Sequence, residues 1–383
     1  MRKFWGRLRD VFRKGDMILL LLCVSATVFG IVMIAAATAP KESTRYIVIQ
    51  SGALIAGIVL YFALTAFDID ILAGQRTMLF LFNTVFISML LVWGVEGTTG
   101  NRSWLQFPFL PFNIQPAELC KITFIIILAK TMSLHRNHVS SLRNVSQITF
   151  HMLFIVGLIV VISSDTGVAL IFVFIFLAIA FVGGVSGWWF FGGIGAFAAA
   201  APVMWKYFLK DYQRRRILVL FDPSIDPTGQ KELWQTRKSL EALRNGGLAG
   251  QGLFNGTLTQ KDSLPAQHTD FLFSSIGEQL GMVGCLAVLL LLLLIVARCI
   301  YVGLKSPDEK NRLICIGIGA MLLFQTLINV GMCLGLFPVI GLALPFFSYG
   351  GSSILTSFIA VGIVSGIKMR PEPEVADRYI RPY

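Results

Sequence analysis

The sequence predicts an all-α polytopic membrane protein with about ten transmembrane helices and one large extracellular loop. Three observations carry that prediction. Apolar residues make up 55% of the 383 residues and charged residues only 14%, where soluble domains are roughly 25% charged. Mean hydropathy is +0.74. Apolar runs such as Leu286–Ala297 are unbroken, unlike the alternating short strands of a porin. A disordered chain, a soluble nucleotide-binding enzyme and a β-barrel are excluded on these grounds.

A hydrocarbon core takes ~20 residues of helix. Ten runs qualify: 17–38, 46–66, 77–95, 115–133, 146–163, 166–183, 187–208, 272–303, 313–335 and 351–368. The first follows a basic arm, residues 1–16, with no small-residue cleavage site, so it reads as its own insertion signal. The fourth opens with Pro116, which suits a first helical turn. The fifth and sixth are separated by a tight turn holding Asp165. The eighth is too long for a vertical span and is expected to tilt or bend. On the ninth, Gln325 and Asn329 are one turn apart and read as interhelical glue.

Lys and Arg fix the expected orientation. The arm carries six of them, and Arg76, Lys130, Arg136, Arg143, Arg298, Lys305, Lys310 and Arg312 share one side, whereas the opposite short loops hold Lys41, Arg45 and Arg102. Both termini are thus expected in the cytoplasm. The organisation becomes a cytoplasmic arm (1–16), seven helices (17–208), an extracellular loop (209–270), three helices (271–368) and a cytoplasmic tail (369–383). Within the loop, Leu233–Leu243 is amphipathic.

The net charge of +11 is not concentrated on a soluble face, so nucleic acid is not an expected partner. The six Cys lie singly in apolar runs without ligand spacing, so no metal site or disulfide framework is expected. No cytosolic nucleotide-binding domain is present, which excludes ATP-driven transport by this chain alone. His135, His138 and His151 read as interfacial residues.

Ionisable residues inside a span are costly and suggest function. Glu118 and Lys121 are three apart, on one helical face and within reach of each other. They read either as a packing ion pair or as the lining of an outward polar cavity. Asp165 reads as a helix cap or as a cavity residue. The loop holds YQRRRI (212–217), FDPSIDPTG (221–229), WQTRKS (234–239), GGLAGQGLFNG (246–256) and LPAQHTDF (264–271). Its glycines lack the Lys-Ser/Thr of a phosphate loop, leaving a tight turn that could offer N–H groups to an anion. His268 and Asp270 sit where the loop returns to the membrane. A carboxylate there, with basic groups favouring its ionised form, suits removal of a proton from a hydroxyl.

Several of these strings resemble one family. GMCLGLFPVIGLALPFFSYGGSS (331–353), NRSW (101–104) with IQPAELCK (114–121), SSDTGVA and the loop strings above are similar to those of the SEDS proteins, the RodA/FtsW/SpoVE group. The resemblance spans essentially the whole chain in order. It departs at Ile340, Ala343, Lys238-Ser239, Glu278-Gln279 and Ser164, where the family usually has Thr, Pro, Gln-Ser, Glu-Glu and Pro.

The resemblance implies a GT-C-like fold in the bacterial cytoplasmic membrane with an outward-facing site. It also implies a peptidoglycan glycosyltransferase that polymerises lipid II beside a class B penicillin-binding protein and other elongation or division proteins. The family's catalytic Asp carries onto Asp270. Transfer from an α-linked pyrophosphate donor to a β-1,4 product inverts once, and so needs a base and a positive environment for the leaving group. Asp270 fits the base. Arg102, Lys121, Arg216 and Lys238 fit the substrate's pyrophosphate, while Glu118, Asp165, Ser239 and His268 would shape the substrate-binding cavity. A divalent cation (Mg or Mn) would assist the leaving group, although no ligand cluster marks one. Two other readings stay open: a lipid-linked-sugar flippase, and a non-catalytic activator of a penicillin-binding protein.

Overall fold

The computed structural model describes residues 11–41, 44–95, 101–108, 112–209, 211–231 and 233–370. Most of the basic arm and the tail beyond Arg370 therefore lie outside the described residues. The main helices are α1 (Met17–Thr38), α2 (Arg45–Ala66), α3 (Arg76–Ser88, with a further turn Leu90–Trp93), α4 (Pro116–Leu134), α5 (Leu142–Leu158, closing in a π turn Ile159–Ser163) and α6 (Thr166–Val182). They continue as α7 (Gly187–Val203), α8 (Asp211–Leu218), α9 (Trp234–Gly246), α10 (Leu272–Lys305), α11 (Glu309–Cys333) and α12 (Gly351–Met369). All but α8 and α9 follow the ten apolar runs, and α9 covers the amphipathic stretch of the loop.

Among the described residues, eight helices are long and apolar enough to cross a membrane: α1, α2, α3, α5, α7, α10, α11 and α12. The other two, α4 and α6, are the shorter or more charged ones. α4 carries Glu118, Lys121 and Lys130, and α6 has 17 residues. α4 lies mostly inside the bundle, whereas α6 buries one face and leaves Leu170, Leu177 and Phe181 exposed. The chain is an all-α, multi-pass membrane protein.

The centre of the bundle is α11 and α12, buried over 78% and 72% of their most apolar windows. α12 packs closely on α2 because Gly57 and Gly362 leave room. A Cβ on Gly57 would meet the Phe358 ring at 2.7 Å, and one on Gly362 the Tyr61 backbone at 3.0 Å. Small residues that permit such close packing favour association between helices in lipid. By contrast, α7 has no buried residue.

One end of the bundle is tied by charge. Asp16, fully buried, caps α1 and accepts two hydrogen bonds from Arg298, at 2.8 and 3.1 Å, with Lys368 at 3.4 Å. Tyr61 donates to the Asp16 carbonyl at 2.6 Å, so α1, α2, α10 and α12 meet here. All six Cys are unpaired, and five of them are buried.

The long eighth run is bent, as its length predicts. Gly281 breaks α10 with φ 66° and ψ −162°. The remainder after the break, about 24 residues, is ~36 Å long and suffices to span. The glycine-rich loop inserts at the break. Gln251 and Gly252 donate to the carbonyls of Glu278 and Gln279 at 3.0 and 2.9 Å, and Met282 donates to Gly247 at 2.9 Å. A Cβ on Gly246 would lie 1.8 Å from the Gly277 carbonyl, and one on Gly250 2.2 Å from that of Gln279. This corrects the anion-loop reading. The glycines are needed for close backbone approach, and the N–H groups of Gln251 and Gly252 are already engaged. Glu278 completes the dock by accepting from the N–H groups of Leu258 and Thr259 at 2.7 and 2.9 Å. Gln279 accepts from Phe254 N–H at 2.8 Å.

Candidate active site

The segment that returns to the membrane, residues 264–271, is short and irregular, so side chains from elsewhere must hold its backbone. Side chains do so at Thr269 and Asp270, a backbone N–H does so at His268, and Gln267 anchors the segment through its own amide. Gln267 donates to the Ala37 carbonyl at 2.7 Å. The His268 carbonyl accepts from Tyr349 N–H at 2.9 Å. The Thr269 carbonyl accepts from the Ser348 hydroxyl at 2.7 Å. Asn329, fully buried on α11, donates through Nδ2 to the carbonyls of both Asp270 (2.8 Å) and Leu342 (2.6 Å). Asp270 is thereby fixed against the turn 337–342. That turn lies along its carboxylate, because a Cβ on Gly341 would lie 3.5 Å from Oδ2.

The same turn reaches Asp165. Gly167 abuts Ile340, whose carbonyl would lie 2.9 Å from a Cβ there. Asp165 takes the capping role weighed for it, and its second carboxylate oxygen is held by side chains from elsewhere. Its Oδ1 caps α6 by accepting from Val168 N–H at 3.1 Å. Its Oδ2 accepts from the Ser103 hydroxyl at 3.1 Å and the Gln115 amide at 3.2 Å. Gln115 also occupies the N-cap position of α4, and its own N–H donates to Ser352 on α12 at 3.3 Å. One helical turn further along α4, Lys121 pairs with Glu118 at 2.7 Å, the ammonium fully buried.

Electrostatics couple these groups. Burial pushes the Asp270 carboxyl up to about 6, and the charge of Asp165 adds to the rise. Burial also raises Asp165. The Val168 N–H and the Ser103 hydroxyl oppose that rise, Glu118 adds to it and Lys121 opposes it. The expectation that basic neighbours favour ionised Asp270 is corrected. Desolvation and a like charge dominate, and both disfavour the anion.

The other candidates divide. Arg216 donates to the Val339 carbonyl at 2.9 Å, which places it on the same turn that meets Asp270. His268 packs against Tyr46 and Tyr349, with ring centroids 4.8 and 5.8 Å away. Arg102 is exposed and bonds the carbonyls of Gly94 and Leu91 at 3.1 and 3.4 Å, bracing the end of α3. Lys238 pairs with Glu241 at 2.8 Å along α9. Ser239 is fully buried, sharing a 2.6 Å hydrogen bond with Ser274 and donating to the Cys333 carbonyl at 2.6 Å, so its hydroxyl joins α9 to α10 and α11. In the FDPSIDPTG string, Asp226 accepts from the N–H groups of Lys231 and Leu233 at 3.0 and 3.1 Å, a turn-forming role. Among the described residues, no group of three or more His, Cys, Asp or Glu could hold a metal ion.

Sequence reading passed over Ser103, Gln115 and Ser348 as site residues, although each lies inside a string already singled out. Asn329 was read as glue between helices, and its partners prove to be the backbone of the site.

The family model described as cell cycle protein, FtsW/RodA/SpoVE, matches residues 17–372. A probable peptidoglycan glycosyltransferase FtsW from Geobacter metallireducens is 32% identical over 93% of this chain and 95% of its own length. The peptidoglycan glycosyltransferase MrdB of Escherichia coli is 33% identical over 70% of this chain and 71% of its own. Among solved structures, a chain from work on "structural coordination of polymerization and crosslinking by a peptidoglycan synthase complex" superposes with a TM-score of 0.80. It is 30% identical and covers 94% of this chain and 99% of that one. The crystal structure of the Thermus thermophilus rod shape determining protein RodA gives 0.69 at 27% identity, covering 94% and 98%. The chain belongs to the FtsW/RodA/SpoVE family and, with it, is a peptidoglycan glycosyltransferase.

Proposed function

We propose that this chain polymerises lipid II into β-1,4-linked glycan strands with Asp270 as the general base. The observation that carries this reading is the Asp270 carboxylate: partly accessible, its backbone held from α11, and shifted to about 6 by burial and Asp165. A base with that value is mostly ionised at neutral pH yet a better proton acceptor than an ordinary Asp. Asp270 takes the proton from the 4-hydroxyl of the acceptor GlcNAc. The freed oxygen attacks C1 of the donor MurNAc from the face opposite the pyrophosphate, the C1–O bond breaks and undecaprenyl pyrophosphate departs. The proton on Asp270 then passes to water. Arg216 lies on the same turn and supplies positive charge toward the pyrophosphate. Lys121, held by Glu118, sets the field beside Asp165.

In this reading the chain resides in the bacterial cytoplasmic membrane with both termini inside. The 209–270 loop and Asp270 face outward, beside a class B penicillin-binding protein that crosslinks the strands. A Cys placed at Thr257 should react with an impermeant thiol reagent in whole cells and one at Ser306 should not, and the reverse pattern overturns the orientation. The chemistry is tested by gel analysis of labelled lipid II products from purified protein, with and without the penicillin-binding protein. Asp270→Asn should bind lipid II as the parent does yet polymerise ~10²–10⁴-fold more slowly. Near-normal strand synthesis by that variant removes Asp270 as the base and returns weight to the activator reading.

A further inference from the structure

Away from Asp270, α3, α4 and α5 leave between them a cavity of about 280 Å³. Its lining is mixed: Arg76, Thr77, Thr131 and Gln147 bring polar groups, and Phe80 and Phe150 bring apolar walls. His151 belongs to the same lining and is 6% exposed, so it is not the interfacial residue that the sequence suggested. Its ring lies between Phe124 and Phe80, at 5.2 and 5.3 Å. Its Nε2 is a buried nitrogen with no hydrogen-bond partner among the described residues.

A polar recess among membrane helices is costly to leave to hydrocarbon. Its position says what fills it. Arg76 opens α3, Gln147 is in the second turn of α5 and Thr131 is in the last turn of α4. These three therefore share the end of the bundle that carries Lys130, Arg136 and Arg143. The mouth faces the lipid side, with Thr77 and Gln147 exposed and Phe150 62% exposed. The acidic groups that precede Arg76 are already engaged. Asp70 pairs with Lys310, and Asp68 caps its own short helix by accepting from Asp70 N–H at 3.0 Å. Arg76 makes no ion pair among the described residues.

We propose that this cavity binds an anionic phospholipid from the leaflet at the basic end of the bundle. The volume takes a headgroup and glycerol. The phosphate lies against Arg76, Gln147 and Thr131 meet the glycerol and ester oxygens, and the acyl chains run out along Phe80 and Phe150. Basic pockets between membrane helices select headgroups in this way. Such a lipid would also buttress α4 and α5, whose far ends carry Lys121 and the turn of Asp165. The orientation proposed above decides only which leaflet supplies it.

The test uses purified full-length protein, delipidated and then offered phosphatidylglycerol and phosphatidylcholine with identical chains, with retained lipid counted by native mass spectrometry. The parent should prefer phosphatidylglycerol about five-fold, the scale of one Arg–headgroup contact. Arg76→Gln should reduce that preference to about two-fold or less. So should Thr77→Trp, which fills the mouth from an exposed position without disturbing the packed faces. Equal retention of the two lipids by the parent, or unchanged preference in both variants, overturns the proposal. So does full displacement of phosphatidylglycerol by millimolar inorganic phosphate, which would make the site one for a free anion.

Discussion

The two ends of the bundle bury carboxylates in opposite ways. At the basic end, Asp16 is matched by Arg298 in a two-point hydrogen bond and by Lys368 at 3.4 Å. At the loop end, burial and the charge of Asp165 raise Asp270, and the buried ammonium of Lys121 is already taken by Glu118. The first arrangement satisfies its charge and leaves nothing to react, so it acts as a fastener between helices. The second leaves a carboxylate with more affinity for a proton than its solvent-exposed counterpart has. Burial alone does not mark a working group. Burial without compensation does.

The largest expected effect separates the two ends directly. Asp270→Asn should cost ~10²–10⁴-fold in strand synthesis, whereas Asp16→Asn should leave synthesis per folded molecule unchanged. Stability should run the other way. The folded carboxyl of Asp270 is raised above its unfolded value of 3.8. Its contribution to stability is therefore present below pH ~4 and lost as pH rises through ~6. At pH 7 the Asn variant should unfold no earlier than the parent in a thermal melt. The Asp16 variant should melt earlier, because removing one partner of a buried pair costs ~3–5 kcal/mol. A melt lowered by Asp270→Asn would assign that residue a fastening role as well.

Lys121→Met should carry a comparable ~3–5 kcal/mol cost, since Glu118 is left unpaired. A double Glu118→Gln, Lys121→Met replacement should restore folding. If it restores synthesis too, the pair is a fastener like Asp16 and Arg298. If the protein folds and synthesis stays low, Lys121 works on the substrate.

Asn329→Leu should produce a smaller fall, ~10–10²-fold in kcat with KM little changed, because it frees the Asp270 backbone while leaving the carboxylate in place. An unchanged kcat would show that the Ser348 and Tyr349 contacts suffice.

The finest distinction is a pH profile. Synthesis should fall off below about pH 6 as Asp270 takes up a proton. Asp165→Asn removes a like charge, so the anion becomes easier to form and the acid limb should move to lower pH. Asp16→Asn should leave the limb where it is. A limb that moves upward in the Asp165 variant would break the coupling inferred between the two carboxylates.

How much of this was legible beforehand follows from the distance over which each feature is specified. The Glu118–Lys121 pair is a property of helical spacing, so two letters three apart suffice. The Asp165 turn follows from two apolar runs meeting with no room between them. The bend in α10 was announced by its length, but its place at Gly281 was not, because glycine is common in membrane helices and only the docked loop distinguishes this one. The anion reading of that loop failed for the same reason. Its amides find carbonyls in α10, 27 residues further on, which no local pattern records.

The sequence by itself therefore determined the membrane class, the helices, the end at which charge collects and the candidate base, because hydrophobic length and residue chemistry are local quantities. Only the tertiary structure decided which carboxylates come close enough to act on one another and which side chains hold them. Ser103 and Gln115 reach Asp165 from 62 and 50 residues away, and Asn329 reaches Asp270 from 59. The proton affinity of Asp270 is set by what surrounds it. A residue's desolvation and its neighbours' charges exist only once the helices have packed.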